Sequence, residues 1–224
     1  MRYWATCTKY HVKPRIAIFL NHPECSAQCA VGMYEALSSD FTVDMFHTDQ
    51  IKNNIFKKAD IVAFPGGIGD SDTFFKYLAP KADYIREAVY YGKRYLGICM
   101  GAYWAAHRYF DIVEGFDAVQ YIKRPYSGIR RSYGTTVPVM WNKKKTDMYF
   151  YDGCALVGNE RKFSTIGRYK NNDPMAVIQS NIGLIGCHPE SMRSWYDKKN
   201  MVDKWHRYYH HKLMLDFTKQ LLNN

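Results

Sequence analysis

The chain has 224 residues, of which 47% are hydrophobic and 23% are charged. These values are ordinary for a globular protein, so they exclude a disordered or fibrous chain. No apolar run approaches the roughly 20 residues needed to cross a bilayer, and the first run, residues 16–20, is too short for a secretory signal. We therefore expect a cytoplasmic protein that has no membrane partner.

The net charge of +10 is concentrated in the second half of the chain. Residues 1–114 carry 13 Lys and Arg against 12 Asp and Glu, whereas residues 115–224 carry 18 against 9. A basic surplus of this kind indicates either a surface that attracts an acidic ligand or a basic surface that only faces solvent. No nucleic-acid motif accompanies it.

Six cysteines are present, and in a chain of this length without a secretory signal we expect them to be reduced. They are Cys7, Cys25, Cys29, Cys99, Cys154 and Cys187. Cys25 and Cys29 follow His22 closely, as metal ligands can, but no second pair of ligands follows at a usual spacing. We therefore predict buried or helix-facing thiols, no metal site and no cofactor.

The first half alternates strand-like and helix-like patterns. Strands are predicted over residues 15–20, 41–46, 60–67 (ending in a Pro-Gly-Gly turn) and 93–98, and helices over residues 27–38, 80–91 and 100–109. In the first helix the apolar spacing runs through Val31, Tyr34 and Leu37. Repeated βαβ units indicate an α/β fold with a doubly wound parallel sheet and helices on both faces.

After Gly115 the chain changes to short β-like segments. They lie at residues 135–141, 148–153, 155–159, 163–169, 175–179 and 183–190. We predict added antiparallel strands that extend or flank the sheet, within a single domain of residues 1–224, because no linker divides the halves.

A last helix is predicted over residues 200–222. Its apolar stripe, Trp205, Tyr209, Leu213 and Phe217, would dock on the body of the protein or form a dimer contact. The pattern leaves the oligomeric state open.

Residues that could take part in a reaction follow three of the predicted strands. In doubly wound sheets, ligands bind beyond the carboxyl ends of the strands. Cys99 lies between Gly97 and Gly101 at a strand-to-helix turn, as a nucleophile does in a G-x-C-x-G elbow. The helix N-terminus favours its thiolate. The backbone N–H groups of Met100 and of the Gly66-Gly67 turn could stabilise an oxyanion.

His188 and Glu190 follow the last apolar run. The histidine could accept the thiol proton and return it to a leaving group, and the carboxylate two residues on could hold the imidazole in one tautomer. A lone cysteine in an apolar setting is more often a core residue, so the prediction rests on three elements coinciding at three strand ends.

These blocks, PGG at residues 65–67, GICMG at 97–101 and HPE at 188–190, resemble the signatures of the class I glutamine amidotransferase-like superfamily. GKRYLGICMGAY at residues 92–103 is similar to the amidotransferase-like domain at the N-terminus of some biotin-protein ligases. The resemblance implies a flavodoxin-like fold, a triad of Cys99, His188 and Glu190, an oxyanion hole from Gly66, Gly67 and Met100, and substrate contacts at Gly101 and Tyr103.

Tyr103 departs from the family pattern, because glutamine-hydrolysing members usually carry glutamine there to hold the substrate. Met100 argues against the intracellular-protease branch, which tends to have histidine after the cysteine. No ligase domain follows, so ligase activity is not implied.

We predict a stand-alone enzyme that hydrolyses a small carboxamide through a thioester, with an ammonia-accepting synthetase as its partner if glutamine is the substrate. Two alternatives stay open. One is a binding or regulatory module of the same fold, and the other is a cysteine hydrolase of peptides or γ-glutamyl compounds. If the protein is such a cysteine hydrolase, the basic loop at residues 123–131 could reach over the pocket and select an acidic substrate. The same loop could equally be an exposed hairpin tip. Trp141 and Tyr151 would either wall the site or fill the core.

Overall fold

The computed structural model describes residues 12–21, 23–52, 55–198 and 200–224. Its strands are β1 (Arg15–Phe19), β2 (Thr42–Phe46), β3 (Ile61–Phe64), β4 (Arg94–Ile98), β5 (Phe116–Gln120), β6 (Thr135–Trp141), β7 (Lys144–Phe150), β8 (Cys154–Gly158), β9 (Ser164–Tyr169), β10 (Pro174–Gln179) and β11 (Ile182–Ile185). Its α-helices are α1 (Ala27–Leu37), α2 (Ile55–Lys58), α3 (Ser71–Leu78), α4 (Ala82–Tyr90), α5 (Met100–Trp104) and α6 (Tyr209–Asn223).

Nine strands form one mixed sheet in the order β2-β1-β3-β4-β11-β10-β9-β6-β7. The first five are parallel, and the last four add antiparallel pairs at one side. Strands β5 and β8 form a separate antiparallel pair. The predicted α/β architecture with added antiparallel strands is confirmed, although β11 lies parallel to β4 and the apolar pattern does not predict β5.

The sheet has a hydrophobic core on each face, as helices on both faces require. On one face β1, β3 and β4 pack against α1 and α6, and on the other they pack against α2, α4 and α5. Adjacent residues of β1 show the alternation, since Ile16 and Ile18 belong to the first core and Ala17 and Phe19 to the second. Both faces of the parallel strands are therefore covered and shielded from water, so ligands must approach from the ends of the strands.

Helix α1 presents a different face to the core from the one predicted. Val31 and Tyr34 are exposed, and of the predicted stripe only Leu37 is buried. The inner face consists instead of smaller or flexible residues, namely Cys29, Ala30, Gly32, Met33 and Ala36. Small side chains are needed there because the loop containing Glu190 approaches the helix closely.

The C-terminal helix begins nine residues later than predicted. Arg207 and Tyr208 adopt positive φ angles of 46° and 65°, which interrupt any continuous helix, and a single 3-10 turn precedes them at Val202–Lys204. Tyr209 is exposed, while Phe217, with Met214 and Leu221, faces the core. The helix docks on the body of the protein as predicted, but the residues that face the core differ from the predicted apolar stripe.

Three further helices differ from the predictions. Helices α2 and α3 are additional elements; α3 begins four residues after the Pro-Gly-Gly turn, where Asp70 caps it by accepting from the N–H of Thr73 at 2.8 Å. Helix α5 ends at Trp104, five residues early. No helix in the described part of the chain is long and apolar enough to span a bilayer.

Candidate functional site

The carboxyl ends of β3, β4 and β11 lie side by side in the sheet, so the three loops singled out in the sequence meet at one edge. Gly66 and Gly67 follow β3, Cys99 follows β4, and His188 follows β11. All the residues proposed as a triad and oxyanion hole are thereby brought to one place, as the sequence predicted. The roles of these residues stay predictions, whereas their proximity is a structural result.

Cys99 sits on a strained elbow between β4 and α5. Its φ and ψ angles are 50° and −103°, outside the regions that non-glycine residues ordinarily adopt. The N–H of Cys99 donates to the carbonyl of Ile185 at 2.8 Å, and that of Gly101 donates to the carbonyl of Pro65 at 3.2 Å. These bonds tie the elbow to both neighbouring strand ends, so it is fixed before any ligand binds.

Two glycines make this tight arrangement sterically feasible. A Cβ added to Gly101 would lie 2.0 Å from the carbonyl oxygen of Phe64 in β3. A Cβ added to Gly66 would lie 2.6 Å from Cε1 of His188 and 3.4 Å from Cβ of Cys99. Any side chain at Gly66 would therefore displace the imidazole, which explains the Pro-Gly-Gly sequence at this turn.

His188 is held by a buried carboxylate. Its Nδ1 lies 2.9 Å from Oε1 of Glu190, and both side chains are almost fully buried. Rings of Tyr149 and Trp195 pack edge-on against the imidazole, with centroids 5.9 and 5.6 Å away. These contacts fix the ring orientation, and Nε2 is buried without a hydrogen-bond partner among the described residues.

The pKa of His188 reflects two opposing influences. Burial lowers it, but the charges of Cys99 and Glu190 outweigh this effect and raise the pKa well above the ordinary value for histidine. The site therefore favours an imidazolium at His188, beside the sulfur of Cys99. This charge distribution is typical of a Cys-His pair prepared for nucleophilic attack.

Backbone donors are available beside the thiol. In the described part of the chain, no acceptor is found for the N–H groups of Gly67 and Met100. The Cys99 thiol itself donates weakly to the carbonyl of Tyr151 at 3.5 Å. Both unpaired N–H groups belong to residues that line the cavity next to Cys99.

That cavity has a volume of about 620 Å³ and a polar wall. Its charged lining residues are Asp70, Asp72, Asp117, Asp152, Arg108 and Lys123. Four acids face two bases, so the basic surplus of the second half is not concentrated at the thiol. Of the basic loop at residues 123–131, Lys123 lines the cavity, while Arg124 forms an ion pair with Asp173 at 2.8 Å.

Tyr103 lines the same cavity four residues after the thiol. Its hydroxyl donates to the backbone carbonyl of Asp152 at 3.2 Å, and burial raises its pKa well above the ordinary value, so it stays a neutral donor. Asp152 has a positive φ of 49° and accepts from Nε2 of Gln120 at 3.0 Å. Tyr151 borders the cavity, whereas Trp141 is buried in the core, which settles the two alternatives for these residues.

A second cavity of about 330 Å³ shares Gly67 and Tyr151 with the first. Cys29 of α1 and His188 line it together with Tyr149, Trp195 and Lys198. Burial raises the pKa of the Cys29 thiol, which is therefore protonated at neutral pH. No pattern in the sequence indicates that Cys29 lies here, because its contact with His188 depends on tertiary packing of α1.

Of the other described cysteines, Cys25, Cys154 and Cys187 line neither cavity. All five described cysteines are free and buried. Cys7 and His22 lie outside the described residues, so the suggested grouping of His22 with Cys25 and Cys29 is not tested.

Comparison with known proteins agrees with this geometry. Residues 21–117 match the sequence family described as "Biotin-protein ligase, N terminal". A search of curated proteins found no match to the chain. Solved structures cover almost all of it, and several of them are glutamine amidotransferases.

The chain has the glutamine amidotransferase fold. A glutamine amidotransferase from Thermotoga maritima aligns with a TM-score of 0.69 at 12% identity, over 96% of this chain and 100% of the other. PurLQS from the same organism aligns with a TM-score of 0.63 at 16% identity, over 94% and 100%. A putative GMP synthase subunit from Thermoplasma acidophilum gives 0.65 at 14% identity, over 96% of each chain. The resemblance to this superfamily is confirmed at the level of fold.

Proposed function

We propose that this protein is a cysteine amidohydrolase of the glutamine amidotransferase type, in which Cys99 attacks a carboxamide. One observation carries the proposal: a cysteine on a strained elbow lies beside a buried histidine whose Nδ1 is 2.9 Å from a buried glutamate. Structural roles alone would not require a strained backbone, an unpaired Nε2 and unpaired N–H groups at one point.

The first half of the reaction forms a thioester. Sγ of Cys99 attacks the carbonyl carbon of the carboxamide, and the thiol proton passes to Nε2 of His188. The oxyanion accepts hydrogen bonds from the N–H groups of Met100 and Gly67. Collapse of the tetrahedral intermediate breaks the C–N bond, and His188 returns the proton to the leaving nitrogen, which departs as ammonia.

The second half regenerates the thiol. Water, deprotonated by Nε2 of His188, attacks the thioester carbonyl, and the C–S bond breaks as the sulfur recovers its proton. Glu190 keeps Nδ1 protonated and stabilises the imidazolium in both halves. One amide and one water thus give one carboxylate and one ammonium ion.

An ammonia-accepting enzyme is the natural partner for such a reaction. Two of the structures similar to this chain carry names that indicate more than one subunit, PurLQS and a GMP synthase subunit. We extend this relationship to the present chain as a proposal, with an acceptor enzyme yet to be found.

Selective labelling of Cys99 tests the proposed nucleophile. We expect a glutamine-like chloroketone to modify Cys99 in preference to the four other described cysteines, as read by mass spectrometry of peptides. Cys99→Ala should abolish labelling, and Cys154→Ala, which removes another buried thiol, should leave it unchanged. Equal labelling of several cysteines, or none of Cys99 in the folded protein, would contradict the proposal.

Tyr103 should determine how well glutamine is used. Tyr103→Gln supplies the side-chain amide that glutamine-hydrolysing relatives carry there, and one added hydrogen bond of about 1.4 kcal/mol corresponds to a roughly tenfold higher kcat/KM for glutamine. Tyr103→Phe is the matched control, because it loses the bond to Asp152 without adding an amide. If both variants hydrolyse glutamine equally well, Tyr103 does not govern its recognition.

A binding or regulatory module is the second candidate, and Tyr103 is the observation that favours it. The tyrosine hydroxyl is already paired with Asp152, so the cavity lacks the side-chain amide at that position. Preferential labelling of Cys99 together with turnover would exclude this candidate. A labelled but inactive protein would support it.

A further inference from the structure

We propose that Cys29, His188 and Glu190 form a zinc site, and that zinc bound there switches the proposed enzyme off. The sulfur of Cys29, a ring nitrogen of His188 and a carboxylate oxygen of Glu190 all lie within 4.8 Å of one another. Tetrahedral zinc, with bonds of about 2.0–2.3 Å, needs ligand atoms about 3.3–3.8 Å apart. Small side-chain rotations would achieve this spacing.

The buried polar atoms of this cluster are incompletely satisfied. Nε2 of His188 and Oε2 of Glu190 both lack a hydrogen-bond partner among the described residues. Proposed catalysis explains the free Nε2, which receives the thiol proton, but it gives no role to Oε2. A buried carboxylate oxygen without a partner costs free energy, and a cation would compensate for that cost.

The donor set selects the type of metal. A thiolate, an imidazole and a carboxylate suit zinc, whereas magnesium and calcium prefer oxygen donors alone. The two negative ligands would also balance the charge of Zn²⁺ in a buried place. Zinc must displace the proton of the Cys29 thiol, whose pKa is raised by burial, and that proton is released to solvent.

A route to the cluster exists that does not cross the pocket beside Cys99. Cys29 and His188 both line the 330 Å³ cavity, whereas Cys99 lines the 620 Å³ cavity. Zinc and substrate would therefore enter from different cavities and meet at the imidazole.

Zinc at this position removes the base whichever nitrogen it binds. Coordination by Nδ1 leaves the ring proton on Nε2, which then cannot accept another, and coordination by Nε2 blocks the atom that accepts the Cys99 proton. Binding itself is independent of the proposed function, whereas the inhibition rests on it.

Cobalt spectroscopy and zinc calorimetry on the full chain test the site. In Cys99→Ser we expect Co²⁺ to give a thiolate-to-metal charge-transfer band and Zn²⁺ to bind in a one-to-one ratio, because Cys29 supplies the thiolate. Cys29→Ser in the same background should lose the band and bind Zn²⁺ at least about tenfold more weakly. Cys25→Ser is the control, since this buried thiol precedes the same helix and should leave both signals intact.

Inhibition is measured separately in the protein with Cys99 present. Zn²⁺ should inhibit amide turnover, and Cys29→Ser should retain turnover while requiring at least about tenfold more Zn²⁺ for inhibition. If Cys29→Ser does not fold by circular dichroism, Cys29→Ala takes its place, and the thermal shift caused by Zn²⁺ in the wild-type protein and in Cys25→Ser is compared with it. An unchanged band or unchanged affinity without Cys29 would overturn the site; a normal band in a protein without turnover would retain the site and count against the proposed function.

Discussion

Replacing Glu190 with glutamine is expected to lower kcat for amide hydrolysis by about 10³- to 10⁴-fold. The glutamine side chain is of similar size but neutral, so the buried imidazolium of His188 loses its compensating charge. Its amide can also donate to Nδ1 and favour the tautomer in which Nε2 carries the proton, and such a ring cannot accept one from Cys99. Steady-state kinetics with the best amide found in a substrate screen would measure the loss.

The same variant should change the pH dependence of Cys99 reactivity. In the wild-type protein the charges of Cys99 and Glu190 raise the pKa of His188, which keeps the imidazolium present to higher pH. Without the glutamate charge that pKa falls, so the His188 imidazolium should lose its proton at a lower pH. The rate at which anionic iodoacetate alkylates Cys99, measured against pH, reports this shift without requiring turnover, because the imidazolium attracts the reagent.

Glu24→Gln provides a matched control for this experiment. Glu24 is also a buried glutamate, but its Oε1 accepts from Nδ2 of Asn21 at 2.8 Å and makes no contact with the imidazole. We expect it to change kcat less than tenfold and to leave the alkylation profile in place. Comparable losses in both variants would mean that Glu190 acts by supporting the fold and not by orienting His188.

Gly101→Ala should have the largest effect on stability. The new methyl group would lie 2.0 Å from a backbone oxygen of β3, so the elbow and the strand must separate, and neither can move without breaking sheet hydrogen bonds. We expect a loss of about 3 kcal/mol or more in the free energy of unfolding, measured by urea denaturation.

Gly128→Ala is the corresponding control. Gly128 has a φ of 72° but nothing within 4 Å of an added Cβ, so only backbone strain of about 1 kcal/mol applies. If Gly101→Ala is no more destabilising than this control, close contact between α5 and β3 is not what requires glycine at position 101.

Much of the candidate site could be predicted from the sequence because its determinants are local. Gly97 and Gly101 frame the elbow within five residues, and Glu190 lies two residues from His188 on one short loop. The strand ends that carry them are buried apolar runs, which are the clearest pattern in such a fold. Proximity of the three loops then follows from the rule that ligands bind beyond the ends of parallel strands.

Tertiary packing accounts for the features of the fold and of the site that the sequence pattern did not predict. The outward position of Val31 and Tyr34 on α1 reflects the closeness of the Glu190 loop, which lies far away along the chain. The contact of Cys29 with His188 has the same origin. The apolar spacing predicts too early a start for α6 because a positive φ at Arg207 and Tyr208, neither a glycine, leaves no clear mark on that spacing.

The position of β11 in the middle of the sheet has a consequence for folding. The strand that precedes His188 lies between β4 and β10, so Cys99 and His188 come from distant parts of the chain. Contacts between residues this far apart in sequence form slowly, because a long loop must close, at a cost in chain entropy, before the contacts can stabilise the fold. During synthesis, the cysteine elbow would emerge and pair with β3 well before the histidine exists. The proposed amide cleavage should therefore require β11 to be in place, because Cys99 has no histidine beside it until then.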